Sequence, residues 1–221
     1  MYEKILLDEE YTEMMEKIAS FHFSENGKWD WEHGIGHALR VSRYVQKIMG
    51  SLNQDKRSIE LGMIAALLHD IGLITGVKKN HAERSAYYAK EYLKKYPLKE
   101  KEKKWIVEAI ADHSNGRNMK NPIAAALVLA DKLDVNKKRV EHSTIQDEIN
   151  SEVAKINRVD VEINENDICI FFKTKKDFNP SILRNWDKCL LLPPVVSAYF
   201  HRKCIFKINH QNLDVESVVA K

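Results

Sequence analysis

Two aspartates stand where a carboxylate is costly, and they constrain this chain more than any other feature. Asp70 follows the run Met63–His69, whose inner members are Ile64, Ala65, Ala66, Leu67 and Leu68. Asp131 lies within Ala124–Leu133, flanked by Val128, Leu129, Ala130 and Leu133. Both runs have the nearly all-round apolar character of helices at the centre of a bundle. An ionised carboxylate there needs a partner. Histidines on neighbouring helices supply one: His37 opens a predicted helix, His69 precedes Asp70, His81 opens another helix and His113 ends a further one. Acids and imidazoles together can hold a cation, and bundles aim such ligands inward from facing helices. Imidazole and carboxylate donors suit iron, manganese, cobalt, nickel or zinc. Taken singly, each residue has a plainer reading. A lone histidine is more often a surface or hydrogen-bonded core residue, and Asp131 alone would be served by Lys132, Arg139 or Arg40. The set of residues favours the metal.

Hydrophobic periodicity predicts helices over about 8–23, 36–49, 55–71, 81–96, 101–113 and 122–133. Asp8 is placed to cap the first, and Pro122 sits well in the first turn of the last. The texture changes after Arg158. Val159, Val161 and Ile163 alternate with polar residues, Asn164-Glu165-Asn166-Asp167 follows, and Ile168, Ile170 and Phe172 alternate again, which predicts a hairpin. A helix from Pro180 to Leu192, interrupted at Pro193-Pro194, and a third strand around Cys204, Phe206 and Ile208 complete the pattern. The expected fold class is therefore mainly α, a helical bundle over residues 1–145 with a small α+β appendage over 146–221.

A formal charge of +3 suits phosphorylated ligands without demanding them. No basic stripe or aromatic stacking run points to nucleic acid. The acidic start of the chain is unlike a signal peptide, and no stretch is read as a membrane span. Three scattered cysteines, Cys169, Cys189 and Cys204, suit reduced thiols in a cytoplasm.

The segments GHALRVSRYV, AALLHDIG and LVLADKLD, in the order H…HD…D, resemble the HD-domain superfamily of metal-dependent phosphohydrolases over roughly residues 30–140. The resemblance implies a helical fold and His37, His69, Asp70 and Asp131 as metal ligands. His81 in NHAERSAYYAKEYL and His113 in AIADHSNGRNM match the extra histidines of members that hold two metals. The second ion would then sit on Asp70, His81 and His113, with Asp70 bridging. AIADHSNG followed by an ADK run is similar to the bacterial subgroup that hydrolyses dinucleoside tetraphosphates, although the region after Arg158 has no counterpart there.

The resulting expectation is an enzyme that cleaves a phosphate ester or anhydride of a nucleotide-like small molecule. Asp70 and His113 are its candidate catalytic residues. Lys78, Lys79, Arg117 and Lys132 are candidates for phosphate binding, each with an ordinary surface cation as the plainer reading. Asp112 could orient a water, though a solvent-facing side chain is the simpler expectation, and His33 could support His37. No membrane and no nucleic-acid partner is expected. The C-terminal part is expected to shape a wall of the pocket or to form a homodimer contact. Two other readings stay open: a nucleotide-sensing HD module without turnover, and a di-iron oxygenase.

Overall fold

A computed structural model describes residues 1–21, 31–140 and 147–219. The chain divides into two compact units, Met1–Phe23 with His33–Asp131, and Ser24–Glu32 with Lys132–Lys221.

The first unit is helical. It contains α1 (Tyr2–Leu6), α2 (Glu9–Ala19), α3 (Ile35–Ser51), α4 (Lys56–Leu68), α5 (His81–Tyr92), α6 (Glu100–Asp112) and most of α7 (Pro122–Leu133). Local chemistry sets the helix starts. The Asp8 carboxylate accepts the Tyr11 N–H, and Asp55 accepts those of Arg57 and Ser58, so donors left over at each N-terminus are satisfied. Asn121 does the same for Ala124 ahead of Pro122. The α2 helix stops at Ala19, and residues 22–23 of the longer expected helix lie outside the described residues.

The α4 helix is the core of the unit. Leu61, Ile64, Ala65, Ala66, Leu67 and Leu68 are all buried, and each large side chain among them contributes ~1.5–3 kcal/mol. It packs closely on α3 because Gly62 has no side chain: a Cβ there would lie 2.6 Å from Met49 Sδ and 2.8 Å from Val45 Cγ1. The sequence reading of no membrane-length segment is corrected here. Lys56–Thr75 is long and apolar enough by length and composition to cross a bilayer. Most of that segment is buried inside the protein, and it carries His69 and Asp70, as a bundle core does.

The helix does not run on to Ile71. It ends at Leu68, and Ile71–Thr75 forms a 3-10 turn. Likewise α5 ends at Tyr92 and yields to a short 3-10 turn, Leu93–Lys95, before Pro97.

The second unit contains α8 (Glu148–Val153), β1 (Ile156–Ile163), β2 (Asp167–Thr174), α9 (Asp187–Tyr199), β3 (Lys203–Ile208), β4 (Gln211–Asn212) and α10 (Val215–Val219). Its sheet has the order β1-β2-β3-β4. The expected hairpin is present, with Val161 opposite Ile170 and Asn164 Oδ1 accepting the N–H groups of Asn166 and Asp167 in the turn. Strand β3 runs parallel to β2, with Ile170 beside Phe206. A parallel neighbour needs a crossover, and the 3-10 stretch Pro180–Trp186 followed by α9 supplies it. The expected break at Pro193-Pro194 is not seen, because α9 continues through both prolines to Tyr199. Pro193, Val196 and Ser197 are buried on the helix, and Ser197 Oγ donates to the Pro193 carbonyl, so packing offsets the two missing backbone donors.

Candidate metal centre

Six side chains from five elements of the first unit meet in one place. His37 comes from the first turn of α3, His69 and Asp70 from the end of α4, His81 from the start of α5, His113 from the end of α6 and Asp131 from α7. Their ligating atoms form three groups in which all atoms lie within 4.8 Å of one another: His37, His69 and Asp70; His69, His113 and Asp131; Asp70, His81 and His113.

Asp70 divides the centre. Its Oδ2 lies 3.6 Å from His37 Nε2 and 3.4 Å from His69 Nε2. Its Oδ1 faces the other way, 3.4 Å from His81 Nε2 and 3.6 Å from His113 Nε2. Asp131 Oδ1 closes the first side at 3.3 Å from His37 Nε2 and 3.8 Å from His69 Nε2. Arg139, one cation that the sequence offers for Asp131, is paired with Asp134 at 3.4 Å.

The backbone fixes three of the rings. Nδ1 of His69 lies 2.8 Å from the Ala66 carbonyl, Nδ1 of His81 lies 3.0 Å from that of Lys78, and Nδ1 of His113 lies 2.7 Å from that of Ile110. In each case the acceptor is three residues earlier. A carbonyl can only accept, so each Nδ1 carries the proton and each neutral ring presents a lone pair on Nε2. His81 Nε2 and His113 Nε2 are 3.1 Å apart, and His37 Nε2 and His69 Nε2 are 3.2 Å apart. In the His81–His113 pair both rings present lone pairs, which repel at that distance unless a proton or a metal ion lies between them. One ring nitrogen tied to a carbonyl and the other turned inward is the arrangement typical of metal-binding histidines.

The electrostatics show how strongly these groups act on one another. Burial raises the cost of the Asp70 charge, but His69, His113 and His81 hold its carboxyl well below the usual range. Burial disfavours a charged His69, yet Asp70 and Asp131 keep its imidazole above the ordinary value. Desolvation lowers His81 to about 4 despite the attraction of Asp70. The residues present thus fit a divalent transition-metal site.

The family model for the HD domain matches residues 34–136. Over that stretch, a little under half of its length, the chain is similar to the HD-domain superfamily. A solved structure of a predicted HD superfamily hydrolase from an uncultured Thermotogales bacterium is 21% identical, over 62% of this chain and 80% of that one, with a TM-score of 0.45. No curated protein matches the sequence.

Around the HD centre, other residues singled out from the sequence take varied places. His33 sits edge-on to His37, ring centroids 6.0 Å apart. Asp112 does not face solvent: it is buried, and its two oxygens accept the N–H groups of Arg117 and Asn118, which fastens the loop after His113. Lys78 and Lys79 are exposed in the stretch leading to His81, Arg117 is exposed in the loop after His113, and half-buried Lys132 follows Asp131 on α7.

Sequence reasoning missed the supports. Gly72 N–H donates to Ser85 Oγ at 2.9 Å, and a Cβ at Gly72 would lie 2.4 Å from Ser85 N. Tyr11 Oη donates to the Leu67 carbonyl at 3.1 Å in the turn before His69. Tyr11 falls on the apolar face of α2, so its hydroxyl was indistinguishable from a core ring with a polar tip.

Proposed function

We propose that this protein hydrolyses a phosphate ester or anhydride in a nucleotide-like small molecule, using two divalent transition-metal ions held by the six residues. The observation that carries this reading is the split of the Asp70 carboxylate: each oxygen faces its own pair of converging Nε2 atoms. His37, His69, Asp70 and Asp131 would hold one ion, and Asp70, His81 and His113 the other. When bound, such ions activate a water as the nucleophile and offset charge on the phosphoryl oxygens. The chain's own part is positional. Asp70 sets the spacing of the two halves, and the carbonyls behind His69, His81 and His113 keep each ring in the tautomer that leaves Nε2 free. Lys78, Lys79, Arg117 and Lys132 are the cations proposed to meet the substrate's phosphates.

The test combines elemental analysis with phosphate release from a panel of mononucleotides and dinucleoside polyphosphates. Two ions per chain and release from a member of the panel support the reading. A full metal load in Asp70→Ala would remove the proposed centre. Metal uptake and nucleotide binding without turnover would favour a sensing module instead.

A further inference from the structure

The segment from Gly72 to Asn80 joins the HD turn to α5 and brings His81 round to face Asp70. One side chain gathers that segment. Arg84, in the first turn of α5, donates from Nε to the Gly72 carbonyl at 3.3 Å and from Nη1 to the Lys79 carbonyl at 2.6 Å, and its Nη2 donates to the Val77 carbonyl. These three acceptors come from the beginning, middle and end of the segment. The Lys78 carbonyl, which orients the His81 ring, lies between two of them. Ser85 adds a second tie by accepting the Gly72 N–H, and the absence of a side chain at Gly72 lets the strap lie directly on α5. His113 needs no such arrangement, since its acceptor belongs to its own helix.

We propose that Arg84 is a positioning residue for the outer half of the metal centre: its guanidinium holds the carbonyls of residues 72–79 so that His81 Nε2 stays opposite Asp70 Oδ1. The inference rests on the two-ion reading above. A planar guanidinium offers five donors in a fixed fork and reaches three separate carbonyls, whereas an ammonium is a point charge that serves them poorly. Arg84 therefore acts on the ion shared by Asp70, His81 and His113, and not on the ion held by His37, His69 and Asp131.

Calorimetric titration of the full chain with Mn2+ tests this, on wild type, Arg84→Lys, Arg84→Met and Arg84→Ala, with thermal melts alongside. Wild type is expected to show two binding steps. All three variants keep the tight step and weaken the other by roughly 10–100-fold, the range for losing outer-shell support. Ethylguanidinium restores the weaker step in Arg84→Ala. If Arg84→Met or Arg84→Ala does not fold, Arg84→Lys decides alone. A second step unchanged in Arg84→Lys, or both steps weakened alike in a folded variant, overturns the role of Arg84 and leaves the two-ion reading standing. A wild type with a single step overturns the two-ion reading and this inference together.

Discussion

The two sides of Asp70 are built differently. On the Oδ2 side, His37 and His69 are almost wholly buried and their elements, α3 and α4, are packed tightly enough to need Gly62 between them. On the Oδ1 side, His113 is equally buried, but His81 retains 19% exposure and its ring is oriented by a carbonyl of a non-helical segment. One half of the centre is thus part of the core, and the other is half core and half strap. The difference teaches that two halves of a cluster built round one carboxylate need not be equal: the inner half is set in the buried end of α4, while the outer half is only as firm as the segment that delivers His81.

The largest effect expected from this contrast is at the shared residue. Asp70→Ala should abolish both binding steps, each losing more than the ~10–100-fold typical of outer-shell changes, as read by metal content after gel filtration. Loss of only one ion would mean that the carboxylate does not bridge. His81→Ala should separate the halves, removing the outer ion and leaving the inner one, with phosphate release falling in parallel. Gly72→Ala attacks the strap without touching a ligand: the added methyl meets the Ser85 backbone, and overpacking should lower stability by about 1–3 kcal/mol in chemical denaturation. Tyr11→Phe attacks the inner half, leaving the Leu67 carbonyl without its side-chain donor at a cost of about 1–2 kcal/mol, and should shift the first binding step more than the second.

The smallest effect lies away from the centre and serves as its control. Burial opposes ionisation of Asp8, but Lys95, Tyr96 and the Tyr11 N–H together hold its carboxyl at about 2. A depressed folded-state value stabilises the protein above the unfolded carboxylate range, near 3.8, and that contribution is lost as pH falls from there through about 2. Asp8→Asn should therefore cost on the order of 1 kcal/mol at neutral pH, with the gap to wild type closing as melts are repeated toward pH 2. Metal binding should not change in this variant.

The same contrast explains what could be read in the sequence. The inner half was legible because its ligands interrupt long apolar runs: Asp70 and Asp131 are conspicuous against α4 and α7, and the HD order names them. The helical body and the hairpin at Asn164–Asp167 were legible for the same reason, since periodicity survives wherever one face is buried. The outer half was less legible: His81 and His113 stand out only as histidines at helix ends, and only the resemblance assigns them to a second ion. The strap was not legible at all. Arg84 and Ser85 act on backbone carbonyls and N–H groups, and nothing in a side-chain pattern announces a backbone partner. The parallel pairing of β2 with β3 was hidden for a related reason, since alternation reports which face is buried and not the direction of the neighbouring strand. The run through Pro193-Pro194 escaped because local rules break a helix there, and the buried packing that carries it across is tertiary.

The hydrogen bonds from His69 to Ala66 and from His113 to Ile110 give the centre an unexpected dependence on residue counting. Both histidines stand at the C-termini of their helices. Each ring uses a carbonyl of the last turn, which at Ile110 also accepts the His113 backbone N–H, so the place where the helix stops decides both where the imidazole points and where its proton resides. One residue added or removed within α4 or α6 would turn the ligand by about 100° around the helix axis and break the register between ring and acceptor. Apolar substitutions inside these helices can be absorbed by repacking, but their lengths are gauges that the centre reads directly.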